Sequence, residues 1–111
     1  MELYESPRSK NKQKEGKMPI YIMLSNITDE GAEKIKKDPN RIREVNEEIE
    51  KLGVKVISQY ATLGPYDFVN VVEAEDNIAV ARVSAELASR GTIKITTMPA
   101  IGVDEFIDAF G

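Results

Sequence analysis

The 111-residue sequence contains no cysteine, no histidine and no tryptophan. The missing cysteine excludes a disulfide framework, a thiolate nucleophile, an iron–sulfur cluster and the cysteine-based zinc sites. The missing histidine excludes Ser–His and Cys–His catalytic pairs and the usual proximal haem ligand. It also removes the side chain best suited to proton transfer near neutral pH. Long apolar runs are absent too: the longest, residues 20–24, is far short of the ~20 residues that span a bilayer. There is no phosphate-binding loop, dinucleotide fingerprint, nucleophile elbow or EF-hand spacing. Glu73, Glu75 and Asp76 are the one conceivable hard-cation cluster, so the expectation is no metal and no cofactor.

The charge that is present is unevenly spread. Net charge is −4, yet residues 1–17 carry five Lys/Arg against three Glu, a local +2, which leaves −6 for the remaining 94 residues. An acidic body lacks the clustered cations that neutralise phosphates, so nucleic acid is not an expected partner. Residues 1–17 hold one Leu and one Tyr and read as a disordered or partly ordered basic tail. They also lack the apolar stretch of a signal peptide. Met18 is a candidate natural start. The expected setting is cytoplasmic, without membrane contact. Abundant Lys, Glu and Ile beside only two Gln hint at a thermophilic source.

Residues 18–111 read as a single domain, of the commonest size for one. Residues 20–24 are β-branched and aromatic and predict a strand. Thr28 is a candidate N-cap with Asp29 and Glu30 in the first turn. Pro39 interrupts the helical pattern, and Asp38 can cap a new segment. There Ile42, Val45, Ile49 and Leu52 recur at spacings of three and four, a buried stripe closed by Gly53. Residues 54–62 alternate imperfectly, as an edge strand does. Gly64-Pro65 marks a turn, and the apolar run to Val72 predicts a strand buried on both faces. A helix over 76–90, capped by Asp76 or Asn77, points Ile78, Val83 and Leu87 inward and ends at Gly91. Residues 92–97 form another edge strand, and 103–110 a short helix with Phe106, Ile107 and Phe110 on its apolar side.

The order βαββαβ plus a terminal helix predicts an α+β ferredoxin-like sandwich, an antiparallel sheet of strand order 4-1-3-2. Its two central strands are then the two most apolar ones. Helices cover one face of such a sheet, whereas both faces of the first and third strands are apolar here. An uncovered apolar face of several hundred Å² is unusual on a monomer. The expected partner is therefore a second copy of the chain, packed against the open sheet face. The alternative is cover by the terminal helix.

The densest run of unusual residues is Tyr60, Thr62, Gly64, Pro65, Tyr66 and Asp67. With Gly64, Tyr66 and Asp67 in matching positions, the chain resembles the GYD domain family. Tyr21, Thr28-Asp29-Glu30-Gly31, Asp38-Pro39-Asn40-Arg41 and the approach from Gly91 to residues 93–97 match as well. The resemblance covers about residues 19–98. It implies a ferredoxin-like fold and assembly of the dimeric α+β-barrel kind, and it assigns no activity.

Two readings of the motif stand side by side. In the structural one, Gly64 supplies positive φ, Pro65 fixes the turn, Tyr66 hydrogen-bonds across the sheet, and Asp67 accepts backbone N–H groups or pairs with an arginine. In the functional one, Tyr66 and Asp67 orient a small polar molecule, with Tyr21 and Tyr60 nearby and Arg41 holding an anion or forming a surface ion pair. Gly31 within a helical turn implies either close packing on a neighbouring strand or ligand access. The leading expectation is a small oligomeric protein that binds a polar ligand in a pocket near the sheet. The alternatives are a cofactor-free enzyme of monooxygenase or isomerase type using the Tyr/Asp pair, and a structural assembly module.

Overall fold

A computed structural model describes residues 18–111; the expected tail over 1–17 lies outside the described residues. The element order is β1 (Ile20–Ile27), α1 (Asp29–Lys37), α2 (Arg41–Lys51), β2 (Val54–Ala61), β3 (Phe68–Ala74), α3 (Asn77–Ala88), β4 (Ile93–Ala100) and α4 (Val103–Asp108). The four strands form one antiparallel sheet in the order β2-β3-β1-β4, the expected order read from the other edge. The apolar strands β1 and β3 occupy the centre. Pro99 sits in β4 opposite Tyr21, and an edge strand tolerates the lost donor.

The helix boundaries follow from local chemistry. The Thr28 hydroxyl accepts the Gly31 amide at 3.1 Å and caps α1. Lys37 is the last residue of α1 and Arg41 the first of α2, so the Asp38-Pro39 break yields two helices rather than one kinked helix. α2 has no side-chain cap, so Asp38 does not play the expected capping part. Gly53 and Gly91 end their helical segments at φ 99° and 77°, which β-carbon-bearing residues rarely adopt. The Asp76 carboxylate caps α3 by accepting the Ala79 amide at 2.9 Å.

Tyr21, Met23, Ile49, Val54, Val72 and Val83 lead the core between the helices and the sheet. The inward stripe of α3 is Val80, Val83 and Leu87; Ile78, expected inward, is 69% exposed. Two residues along a helix subtend about 200°, so a stripe through Val80 turns Ile78 to solvent. β2 departs from regular pairing between Val56 and Ser58. The extra residue, Ile57, is a β-bulge that reverses which side chains face the helices. Before it Val54 and Val56 point inward; after it Gln59 does, while Tyr60 shares the other face with Val69.

That other face carries Ile22, Leu24, Val69, Val71 and Met98, and no helix among the described residues buries them. α4 has no buried residue, and Val103, Phe106, Ile107 and Phe110 are all more than half exposed.

Candidate functional site

Gly64, Tyr66 and Asp67, with Thr28, Gly31 and Gly91, gather at the C-terminal end of β1, where hydrogen bonds to the backbone close the chain. The turn after β2 is held by the Thr62 amide donating to the Asp67 carbonyl at 2.8 Å. The Thr62 hydroxyl donates to the Tyr66 carbonyl at 2.6 Å. Gly64 sits in this turn at φ 142°. The Asp67 amide donates to the Ser25 carbonyl at 2.9 Å, and Asp67 Oδ2 accepts the Ile27 amide, also at 2.9 Å. One residue later the Thr28 amide donates to the Thr92 carbonyl at 2.9 Å, and the Thr28 hydroxyl donates to the Gly91 carbonyl at 2.9 Å. Gly31 completes the junction: a β-carbon there would overlap the Thr92 carbonyl oxygen and stand 3.1 Å from its carbon. The glycine in the helix is a close-packing requirement.

The other candidates are dispersed. Tyr21 is buried near the opposite end of β1, and its hydroxyl donates to Asn77 Oδ1 at 2.7 Å. Burial, and secondarily the nearby Asp76 carboxylate, raise its pKa above the usual phenol value. Tyr60 is 60% exposed on the open sheet face. Arg41 pairs with Glu44 at 3.3 Å at the start of α2. Tyr21, Tyr60, Tyr66 and Asp67 therefore do not converge. Glu73, Glu75 and Asp76 do not converge either: among the described residues no three His, Cys, Asp or Glu side chains are placed to hold a metal ion.

A cavity of about 160 Å³ lies instead between α1, α2 and the inward sheet face. Ser25 and Asn70 line it from the two central strands and Gln59 from β2. Met23, Ile42, Val45, Ile49, Leu87 and Ile93 supply apolar wall. Ile27, Gly31 and Thr92 bring the β1 junction to its edge. Register explains the polar row. Asn70 stands opposite Met23 on one side and Gln59 on the other, so all three project toward the helices.

Gln59 is already engaged: its amide and that of Asn46 on α2 exchange hydrogen bonds at 2.8 and 3.4 Å. Asn70 Oδ1 is buried and, among the described residues, has no hydrogen-bond partner. An unsatisfied buried acceptor costs about 1–3 kcal/mol, which makes Asn70 the chemically conspicuous residue of the cavity lining. Among the described residues three cations, Lys34, Arg41 and Arg90, line the cavity, and no Asp or Glu does. Arg90 is committed to Glu48 at 2.8 Å and Glu86 at 3.2 Å. Its hydrogen bond to Arg90 holds the Glu48 carboxyl below the usual range.

Of the polar side chains lining this cavity, only Arg41 is a candidate from sequence. Asn70, Gln59 and Ser25 escape notice there because each sits in a strand that reads as packing. A polar residue within the apolar run of β3 is the signal that points to Asn70.

The sequence model of the family described as "GYD domain" matches residues 21–110. A relative from Thermus thermophilus is 58% identical over 91 residues, 81% of this chain and 96% of its own length. It is named "Glutamine synthetase and cystathionine beta-lyase binding protein". A crystal structure of a Thermus thermophilus protein is similar at TM-score 0.50 and 24% identity, covering 77% of this chain and 95% of that one. The Mycobacterium tuberculosis leucine response regulatory protein is similar at TM-score 0.56 and 15% identity, covering 92% of this chain and 62% of that one. The likeness to these two structures is one of fold.

Proposed function

We propose, for a chain that belongs to the GYD domain family, that it is a homo-oligomeric binding module that docks onto partner proteins. The observation that carries this reading is the relative 58% identical over 81% of the chain, whose name states that it binds two enzymes. The geometry supports it. An uncovered sheet face bearing Ile22, Leu24, Val69, Val71 and Met98 suits packing against a second copy, at ~25 cal/mol per Å² of apolar area removed from water. The exposed Phe106 and Phe110, edge-to-face at 5.0 Å, add further apolar surface at the C-terminus. The relative's organism is in keeping with the thermophilic composition. Among the described residues no helix is long and apolar enough to cross a membrane.

The test has two arms. Light scattering after gel filtration should find an oligomer for the wild type and a smaller species for Ile22→Lys; a monomeric wild type sinks the assembly. Surface plasmon resonance with purified glutamine synthetase and cystathionine beta-lyase should detect binding to at least one, and silence with both sinks the docking role.

A second reading, that the module also holds a small polar ligand, is favoured by the unpartnered Asn70 Oδ1 in the cavity. Holding is preferred over turnover because the Asp67 carboxylate is engaged by the Ile27 amide and neither Tyr66 nor Asp67 lines that cavity.

A further inference from the structure

We propose that the cavity between α1, α2 and the sheet takes a small aliphatic carboxylate that also bears a neutral hydrogen-bond donor, an α-hydroxy acid being the simplest such molecule. The inference rests on the reading that the cavity binds a small ligand, and it names the chemical class.

Size comes first. A cavity of about 160 Å³ is close to the ~150 Å³ that accommodates benzene, so the occupant has on the order of six to nine non-hydrogen atoms. Charge comes second. In a chain of net charge −4, the described residues that line this chamber include Lys34, Arg41 and Arg90 and no carboxylate. Arg90 is held by Glu48 and Glu86. Among the described residues the direct ion pairs of Lys34 and Arg41 are exposed ones within one turn of their own helices, to Glu30 at 3.5 Å and Glu44 at 3.3 Å, with Glu48 acting on Arg41 at longer range. Such pairs hold their partners weakly, so both cations are available to an anion at the rim. The wall comes third: Ile42, Val45, Ile49 and Leu87 match an aliphatic body rather than a polyanion.

The donor follows from Asn70. Its Oδ1 is buried and unpartnered, while the neighbouring Gln59 amide is occupied by Asn46. Rotation of the Asn70 amide toward the cavity it lines would present this acceptor to a ligand hydroxyl or amide N–H. An ammonium would enter a chamber whose charged lining is cationic, so the donor is neutral.

Calorimetric titration of the full chain with four probes separates these elements, with amide chemical shifts of Gly31, Asn70 and Thr92 reporting location. The probes are α-hydroxyisocaproate, isocaproate (no hydroxyl), α-hydroxyisocaproamide (no charge) and leucine (ammonium for hydroxyl). The hydroxy acid should bind tightest, with each of the others weaker by roughly fivefold or more. The double variant Lys34→Gln/Arg41→Gln changes exposed or half-exposed side chains and should weaken the hydroxy acid about tenfold. Asn70→Leu should erase the difference between hydroxy acid and isocaproate. Equal binding of hydroxy acid and isocaproate, equal or tighter binding of leucine, or indifference to the double variant overturns the proposal. If only the uncharged probe binds and moves those amides, the ligand class is wrong but the cavity reading stands. If no probe moves them, both fall.

Discussion

The Asp67 carboxylate does the work of a missing strand neighbour for Ile27: its Oδ2 accepts the Ile27 amide at 2.9 Å. Pairing of β1 with β3 ends at Ser25 opposite Phe68, whereas β1 continues against β4 as far as Ile93. Beyond Ser25 the backbone has lost its β3 neighbour, and a side chain from the turn between β2 and β3 takes its place. Of the two readings the sequence offers for Asp67, this contact matches the one in which its carboxylate accepts a backbone N–H, a clamp at the end of β1.

Replacing Asp67 by Ala leaves that amide without its acceptor and should destabilise the fold by about 1–3 kcal/mol. Asp67→Asn keeps a carbonyl acceptor and should cost less than half as much. Urea unfolding of the two variants measures the difference; equal and negligible losses would show that the clamp contributes nothing.

Gly31→Ala places a methyl group against the Thr92 carbonyl. Strand and helix must separate to admit it, at about 1–3 kcal/mol, and the melting temperature should fall despite alanine's better helix propensity. The control is Gly102→Ala, where an added β-carbon meets nothing within 4 Å. A Gly31→Ala protein as stable as the wild type would refute the packing role.

Tyr21 sets an alkaline limit. Its pKa is raised by burial and by Asp76. The neutral phenol is therefore favoured in the folded state; its contribution is complete below the unfolded-state pKa and is lost as pH rises through the folded one. Absorbance titration should show one of the tyrosines ionising late and together with loss of native circular dichroism. Tyr21→Phe should abolish that late step and, by removing the bond to Asn77, cost about 0.5–1.5 kcal/mol at neutral pH.

Glu48 behaves in the opposite sense. Its carboxyl is lowered chiefly by the Arg90 hydrogen bond, so its contribution is present above the ordinary carboxylate pKa and disappears as pH falls through the lowered one. Glu48→Gln should flatten the acid side of the stability–pH curve. The effect should be small and should shrink further with added salt, because the Glu48 side chain is 44% exposed.

Much of the fold was legible because local chemistry decided it. Thr28 and Asp76 as caps, Pro39 as a break, and Gly53 and Gly91 as stops need only neighbouring residues, and the two most apolar strands belong in the centre of the sheet. The candidate site was not legible in that way. Asp67 and Tyr66 attracted attention as unusual residues, yet only the tertiary structure shows the Asp67 carboxylate turned to the end of β1 and both residues away from the cavity. Ile78 misled because an apolar residue near a helix start need not lie on its buried stripe.

The absence of Cys, His and Trp, the acidic balance and most of the helix ends were determined by the sequence itself, since each depends on composition or on contacts within a few residues. The bulge at Ile57 was decided only in three dimensions. One extra residue in β2 is visible only against the register of β3, and it turns Gln59 toward the helices and Tyr60 away from them. The cavity has the same origin. Asn70 and Gln59 lie far along the chain from Lys34 and Arg41, and packing α1 and α2 over the sheet brings these polar strand residues and weakly held cations to one chamber.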